Sequence, residues 1–320
     1  MPVRFTSPSL GGQRETFLRR GEWQFGLAFR NLSADKWFVG SEVDETKTPF
    51  QQPLYLKIRT LDLSLAYGLS DRVSLTLTLP FIYGTQSRYY ADLRRHEVSS
   101  LGLGDVNLIG NAWLFDPQIH PGGNINLGLG VKTPIGSNEV TKDWWLADSS
   151  VIRHVVDQSI QQGDGGWGII LQAQAYQQIL PRASLYVLGT YMLSTREHTD
   201  IPSPVAGVTL GVPDVYYVRA GAAVALWPSA GISANLGGRI DGITMKDVIG
   251  GGDDYFRRPG YTLFFDPGVA FRRGRDEVTL NFPVRIHQSF PQSLIDRKVG
   301  YPGGGDLADY LIFAGYTRRF

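Results

Sequence analysis

Apolar and polar residues alternate along nearly the whole chain, and the alternation breaks where Gly, Pro, Asp and Ser cluster. A β-strand sends successive side chains to opposite faces, so each alternating stretch predicts a strand with one apolar face. The first stretch sets Trp23, Phe25, Leu27 and Phe29 against Gln24, Gly26, Ala28 and Arg30. The third sets Val73, Leu75, Leu77, Leu79 and Phe81 against Ser74, Thr76, Thr78 and Pro80, and the fifth sets Ile125, Leu127, Leu129 and Val131 against Asn124, Asn126, Gly128 and Lys132. Similar stretches begin near Leu61, Gly104, Trp167, Leu185, Tyr216, Ile232, Tyr261 and Val278. The last runs from Asp309 to Phe320, with Tyr310, Ile312, Ala314, Tyr316 and Phe320 on one face. The total is twelve strands, an even number.

The connections also alternate. Short turns follow strands 2, 4, 6, 8 and 10, as at Ser70-Asp71-Arg72 and Leu180-Pro181-Arg182, whereas long loops are expected after the odd-numbered strands. Short turns on one rim and long loops on the other fit an outer-membrane barrel with its short side in the periplasm. Tyr261 to Phe271 and Tyr310 to Phe320 span ten residues between aromatic ends. That rise is roughly 33 Å along a strand, or roughly 25 Å of height at a tilt of about 40°, the apolar band such barrels need. Trp167, Tyr191 and Tyr216 fall at loop-side ends and Trp23 and Tyr67 at turn-side ends, which reads as two aromatic girdles. A soluble sandwich also alternates, but its dry core would not tolerate so many charges on the polar faces. The expected fold class is therefore all-β: a transmembrane antiparallel up-and-down β-barrel of 12 strands spanning residues 21–320. Residues 1–20 form an extension, either a plug or a periplasmic tail.

Composition sharpens this picture. Charged residues are 19% of the chain, Gly is 38 of 320 residues, and the net charge of +1 gives no global field for nucleic acid. No apolar run is long enough for a membrane helix. Cysteine is absent, which removes disulfide and thiolate chemistry. No signal peptide is visible at Met1-Pro2-Val3-Arg4-Phe5, so a bacterial outer-membrane location implies a mature sequence.

Strand parity directs Arg30, Lys132, Arg219, Arg239, Arg272, Arg285 and Arg319 into the lumen, against Asp62, Asp105, Asp241 and Asp266. Lys57 and Arg59 join them if parity shifts near Thr60. A basic, water-filled lumen favours anions; the competing reading is a network of paired charges filling a narrow barrel. Within the long loop from Ser137 to Asp164, Val151, Ile152, Val155, Val156 and Ile160 sit at helical spacing after the possible caps Asp148 to Ser150. With Trp144 and Trp145 they predict a short helix tucked into the mouth as a constriction.

Gly102-Leu103-Gly104-Asp105-Val106-Asn107, then Leu127-Gly128-Leu129-Gly130-Val131-Lys132-Thr133-Pro134-Ile135-Gly136, then Gly163-Asp164-Gly165-Gly166-Trp167-Gly168 resemble the outer-membrane family named for the meta-pathway of phenol degradation. The resemblance covers about residues 100–178. It implies an outer-membrane barrel passing small, often aromatic, molecules, and it supplies no catalytic residues. The last stretch also satisfies GxGxxG, but no helix follows to bind a phosphate.

No enzyme is expected. His96, His120, His154 and His198 lie in connections, and His287 near Ser289 at the loop-side rim has no carboxylate placed beside it by sequence. Asp253-Asp254 lacks metal-ligand spacing, so no metal or cofactor is expected. The expected function is passive passage of small solutes, aromatic or anionic, through a basic lumen. The alternative is a filled, non-conducting barrel serving as an anchor or assembly partner. Expected partners are outer-membrane lipid, lipopolysaccharide, the solute, and the barrel-assembly machinery through the strand ending at Phe320.

Overall fold

The computed structural model describes residues 17–44, 54–249 and 254–320. Its main sheet is antiparallel and closed. The strands are β1 (Trp23–Ala34), β2 (Tyr55–Gly68), β3 (Val73–Tyr89), β4 (Arg95–Leu103 and Asn107–Trp113), β5 (Gly123–Lys132) and β6 (Gly168–Leu180). They continue with β7 (Ala183–Ser194), β8 (Val215–Trp227), β9 (Ile232–Ile243), β10 (Gly260–Arg273), β11 (Asp276–Asn281 and Val284–Ser289) and β12 (Tyr310–Arg319). Each strand pairs with the next, and β12 closes on β1 from Gln24 opposite Arg319 to Ser33 opposite Tyr310. Closure leaves no free edge, the condition for a sheet to cross lipid. No helix among the described residues is long and apolar enough to cross a membrane.

The outer wall is the apolar face of each strand. On β5, Ile125, Leu127, Leu129 and Val131 are exposed while Asn124, Asn126 and Lys132 are buried. The same pattern holds for Leu185 and Val187 on β7, for Phe265, Val269 and Phe271 on β10, and for Val278 and Leu280 on β11. A continuous belt of such side chains far exceeds what a soluble monomer exposes. Trp23 and Tyr67 pack at the turn-side end with ring centroids 4.5 Å apart, and Tyr191 stacks near Tyr216 at the loop-side end at 6.5 Å. Arg318 shares the outward parity at the turn-side rim. It holds Asp276 at 3.2 Å and lies over the Phe320 ring.

Three expectations change. The segment after β3 is not a long loop. β3 has 17 residues, about 55 Å of strand, and it runs beyond the belt paired with β4 through Tyr89 opposite Arg95. Lys57 and Arg59 face outward, because β2 pairs without a register shift from Tyr55 to Gly68 and its inward positions there are Leu56 and Ile58. The segment 151–160 is not a helix. Val151–Val155 pairs with Thr141–Trp145 as a hairpin, and only Gln158–Ile160 forms a 3-10 turn. Val151, Ile152 and Val155 are β-branched, and the stiff χ1 of such residues favours a strand.

Of the N-terminal extension, residues 1–16 lie outside the described residues. Phe17 and Leu18 are buried at the turn-side end, where the Gly21 amide donates to Gly68 O at 2.8 Å. On the other rim, Asp214 ties two loops together. It accepts the Ser194 amide at 2.7 Å and the Val248 amide at 2.9 Å, while Arg257 pairs with Asp247 at 2.7 Å.

Candidate functional site: a plugged lumen beneath an apolar mouth

The lumen has two zones. Towards the turn side it is lined by charge. Arg219 Nε lies 2.5 Å from Asp266 Oδ2, and Arg219 Nη2 donates to Asn235 Oδ1 at 2.7 Å. Asn281 bridges Asn235 and Asp266 at 2.9 and 3.2 Å. Further towards the loop side, opposite Phe264, Arg239 pairs with Asp241 at 2.7 Å and lies over the rings of Tyr217 and Phe313. Arg30 and Asp62 are buried in the same inward-facing set. Towards the loop side the inward positions turn apolar: Leu32, Leu56, Ile58, Ile82, Val98, Phe264, Leu311 and Phe313 form one buried cluster.

Val156 and Ile160 fill the middle of that cluster. The segment from Val156 to Asp164 therefore enters the barrel as a plug. It fits because β3 offers Gly84 there: a Cβ on Gly84 would lie 2.7 Å from the Ile160 Cβ. Gln161 locks the entry by accepting the Val140 amide at 3.0 Å and donating to Val156 O at 3.1 Å. Trp144, Trp145, Val151 and Val155, the residues expected to constrict the mouth, belong instead to the hairpin beside the β3–β4 projection. Trp145 stacks on His96 at 3.8 Å, Trp144 meets Tyr90 edge-on, and Val151 is exposed. The narrowing falls to the residues that follow.

The far end of the plug is pinned by one ionic node. Lys132 on β5 holds Asp105 at 3.1 Å and also holds Asp164 of the plug. Asp105 also accepts the Gly136 amide at 3.0 Å and the Asp164 amide at 3.3 Å. β4 breaks at Gly104 to Val106 to aim Asp105 inward, and Gly104 stays bonded to Pro80 O at 2.7 Å. A Cβ on Gly136 would lie 2.8 Å from the Gly163 nitrogen. The three motif stretches noted in the sequence thus meet at a single point.

The parity reading did not include three carboxylates. Asp164 comes in on the plug. Asp306 and Asp309, from the connection into β12, hold Arg285 at 3.5 and 2.5 Å. Burial raises the Asp306 carboxyl to about 7, and Asp309 beside it adds to the rise, outweighing Gln288 and Arg285. Lys132, Arg219, Arg239 and Arg285 are therefore held in ion pairs. Arg272 and Arg319 sit lower, with Arg19 and Arg275, around a turn-side cavity of about 230 Å³.

Above the plug lies a mouth cavity of about 420 Å³, within the range of small-molecule sites. Its walls include Trp37, Trp144, Phe256 and Phe290, with Arg88 and Arg258 among them. Arg88 lies 4.4 Å from the Trp144 ring centre, and Arg258 lies 4.4 Å from that of Trp37 and 5.0 Å from that of Phe256. Among the described residues no group of three or more His, Asp or Glu side chains is arranged to hold a metal. His287 tilts against Tyr261, and His198 stacks on Tyr255 at 4.0 Å. Asp253 lies outside the described residues, and Asp254 pairs with Lys298.

No protein-family model matches the chain, and no curated protein matches it in sequence. Its fold is similar to that of an outer-membrane channel from Pseudomonas putida F1. The TM-score is 0.66 at 13% identity, over 99% of this chain and 100% of that one. The fold is that of a bacterial outer-membrane barrel. The Ralstonia pickettii toluene transporter TbuX aligns over 96% of this chain and 92% of its own at 10% identity, with a TM-score of 0.47; that score is too low to bear on the argument. Fold alone does not assign a solute, so the function rests on the site.

Proposed function

We propose that this chain is an outer-membrane channel for passive passage of small, largely apolar or aromatic solutes, entering from the extracellular loop side. The observation that carries the reading is the apolar mouth cavity directly above an apolar collar closed by the Val156–Asp164 plug. A solute that leaves water in the cavity meets a wall of aromatic and apolar side chains with Arg88, Arg258, Lys36 and Asp157 among them until it reaches the plug, so plug displacement is the gating step. Anion preference is assigned to the basic groups at the two ends and to Lys132, whose partner Asp164 leaves with the plug, rather than to the ion-paired arginines of the middle. Membership of the family named for the meta-pathway of phenol degradation is supported by the meeting of its three motif stretches at Lys132. Lipid and lipopolysaccharide contact the belt, and the assembly machinery recognises the strand ending at Phe320.

The paired charges and the plug also favour a second reading, a filled barrel that conducts nothing and acts as an anchor. Reconstitution in planar bilayers separates the two. Steady conductance steps that grow when residues 156–162 are replaced by a short Gly/Ser linker support the channel. Silence across voltages from both proteins leaves the filled barrel.

A further inference from the structure

We infer that the mouth cavity is a subsite for an aromatic carboxylate, its ring held among Trp37, Trp144, Phe256 and Phe290 and its carboxylate taken by Arg88 and Arg258. The inference deepens the channel reading and rests on it for the direction of entry.

Three observations carry it. First, both guanidiniums are already placed. Each lies against aromatic rings, which fixes the plane of the fork while leaving N–H edges for a ligand. Second, Arg88 lines the cavity, and its buried Nε has no hydrogen-bond acceptor among the described residues. Arg258 spends one donor on Gly304 O at 2.6 Å and keeps the rest of its fork. Third, charge is left over. Among the described residues neither guanidinium is within 4.0 Å of a carboxylate, and Asp157 is the anion whose charge both of them feel. Asp157 is already held by the Ser159 amide at 2.9 Å. Lys36 at the rim is already paired with Asp309 at 3.8 Å, and the other wall carboxyl, Asp306, is half neutral near pH 7. Two forked cations facing one committed carboxylate suit a second carboxylate better than a neutral solute.

A planar ring system is favoured over a flexible acyl chain because the lining is rich in aromatic side chains, and aromatic pairing adds to area burial. The cavity volume accommodates one or two fused rings. Basic groups recur at the opposite end of the lumen around Arg272 and Arg319, so an anion leaving the plug meets the same chemistry again.

Isothermal titration of the full chain in maltoside micelles, with micelle-only blanks, tests the inference using 2-naphthoate and its uncharged isostere 2-naphthamide. The expected result is at least tenfold tighter binding of the naphthoate, with Arg88→Gln and Arg258→Gln each removing that advantage while naphthamide binding stays within about twofold. Because each variant is read against naphthamide in the same sample, a misfolded protein shows itself by losing both ligands, and Arg258→Lys then serves as the milder substitution. Equal binding of the two ligands to the unaltered chain, binding of neither, or an advantage that survives both substitutions overturns the inference. Proteoliposome uptake separates this from the channel reading. Equal passage of both compounds overturns the carboxylate subsite and keeps the channel, whereas tight naphthoate binding without passage keeps the subsite and removes the channel.

Discussion

Replacing Lys132 by Met removes the one cation in the node that pins the plug. Asp105 and Asp164 are then left close together, with side chains only 10% and 2% exposed. Removing one partner of a buried pair costs about 3–5 kcal/mol, because the remaining charge is uncompensated. Here two carboxylates remain, and protonation of one of them limits the cost to that range. The cost does not fall on the barrel, since the β5 ladder to β4 and β6 uses backbone groups that Met retains. It falls on the docked plug, the only member of the node free to leave. At about 1.4 kcal/mol per tenfold, the plug-open population rises between roughly a hundred- and several thousand-fold. Hydrogen exchange resolved to residues 156–166 should lose protection by that factor while strand amides keep theirs, and bilayer recordings should show larger or more frequent openings. Adding Asp105→Asn and Asp164→Asn to Lys132→Met should restore most of the protection, because the amides can bond to each other without charge. Unchanged exchange at 156–166 in the Lys132→Met protein would refute the pinning argument. Loss of protection throughout the barrel would refute the division between plug and wall.

Other perturbations follow from the same geometry. Gly84→Ala places a methyl 2.7 Å from the Ile160 Cβ; overpacking of this kind costs about 1–3 kcal/mol, and exchange should rise in the plug but not in β3. Arg219→Met leaves Asp266 buried without its guanidinium and should lower unfolding free energy by about 3–5 kcal/mol, whereas Arg219→Met with Asp266→Leu should recover most of it. Asp306 has a folded pKa of about 7, above its unfolded value of 3.8. The unfolded state loses this proton first as pH rises, so the Asp306 contribution to folded stability is fullest below about pH 4 and declines up to about pH 7, by at most about 4 kcal/mol. Denaturant titrations at pH 4 and pH 8 should show that decline, and Asp306→Asn should flatten it.

Much of the wall was legible in the sequence because a strand's period is rigid. One residue of slip would turn Leu127 and Leu129 into the lumen and Lys132 into lipid, so the register is strongly specified. The even strand count, the short turns and the inward set from Arg30 to Arg285 come from that constraint. Three features escaped it. Period 2 gives the face but not the height at which a strand leaves the bilayer, so from sequence the β3–β4 projection reads as a loop. Leu56 and Ile58 point inward at a level where parity with a shift at Thr60 expects charge, and the β2 pairing contains no such shift. The run from Val151 to Ile160 fits a helical spacing by coincidence, since a short apolar run does not distinguish helix from strand. The β-branched character of Val151, Ile152 and Val155 and the polar turn Asp148 to Ser150 were the available signals for a hairpin. The Lys132 node could be found only in part. The Gly-rich stretches marked its pieces, but they lie up to about sixty residues apart in sequence, and only the barrel's closure brings them together.

The break in β4 has a consequence that links wall to plug. An uninterrupted strand would keep Asp105 in the ladder, with its side chain confined to one pleat. Leaving the ladder from Gly104 to Val106 costs strand hydrogen bonds at a place where lipid cannot replace them. The structure meets this need internally: Gly104 still donates to Pro80 O, Thr133 donates to Val106 O at 2.9 Å, and Asp105 collects the Gly136 and Asp164 amides. The Gly104 amide and the Val106 carbonyl freed by the break are thus satisfied by the neighbouring wall, while the Asp105 side chain turns to the Gly136 and Asp164 amides. Plug release then exposes polar groups of the wall as well as Lys132, so opening is uphill until water or a solute reaches the node. A solute that enters only the apolar cavity above does not relieve that cost. A carboxylate that passes Arg88 and Arg258 and reaches Lys132 does, because it can take the place of Asp164 on the same ammonium. On the proposed channel reading the plug yields to an anion more readily than to a neutral ring, and a conductance that rises with naphthoate but not with naphthamide is the expected sign of that selection at the node.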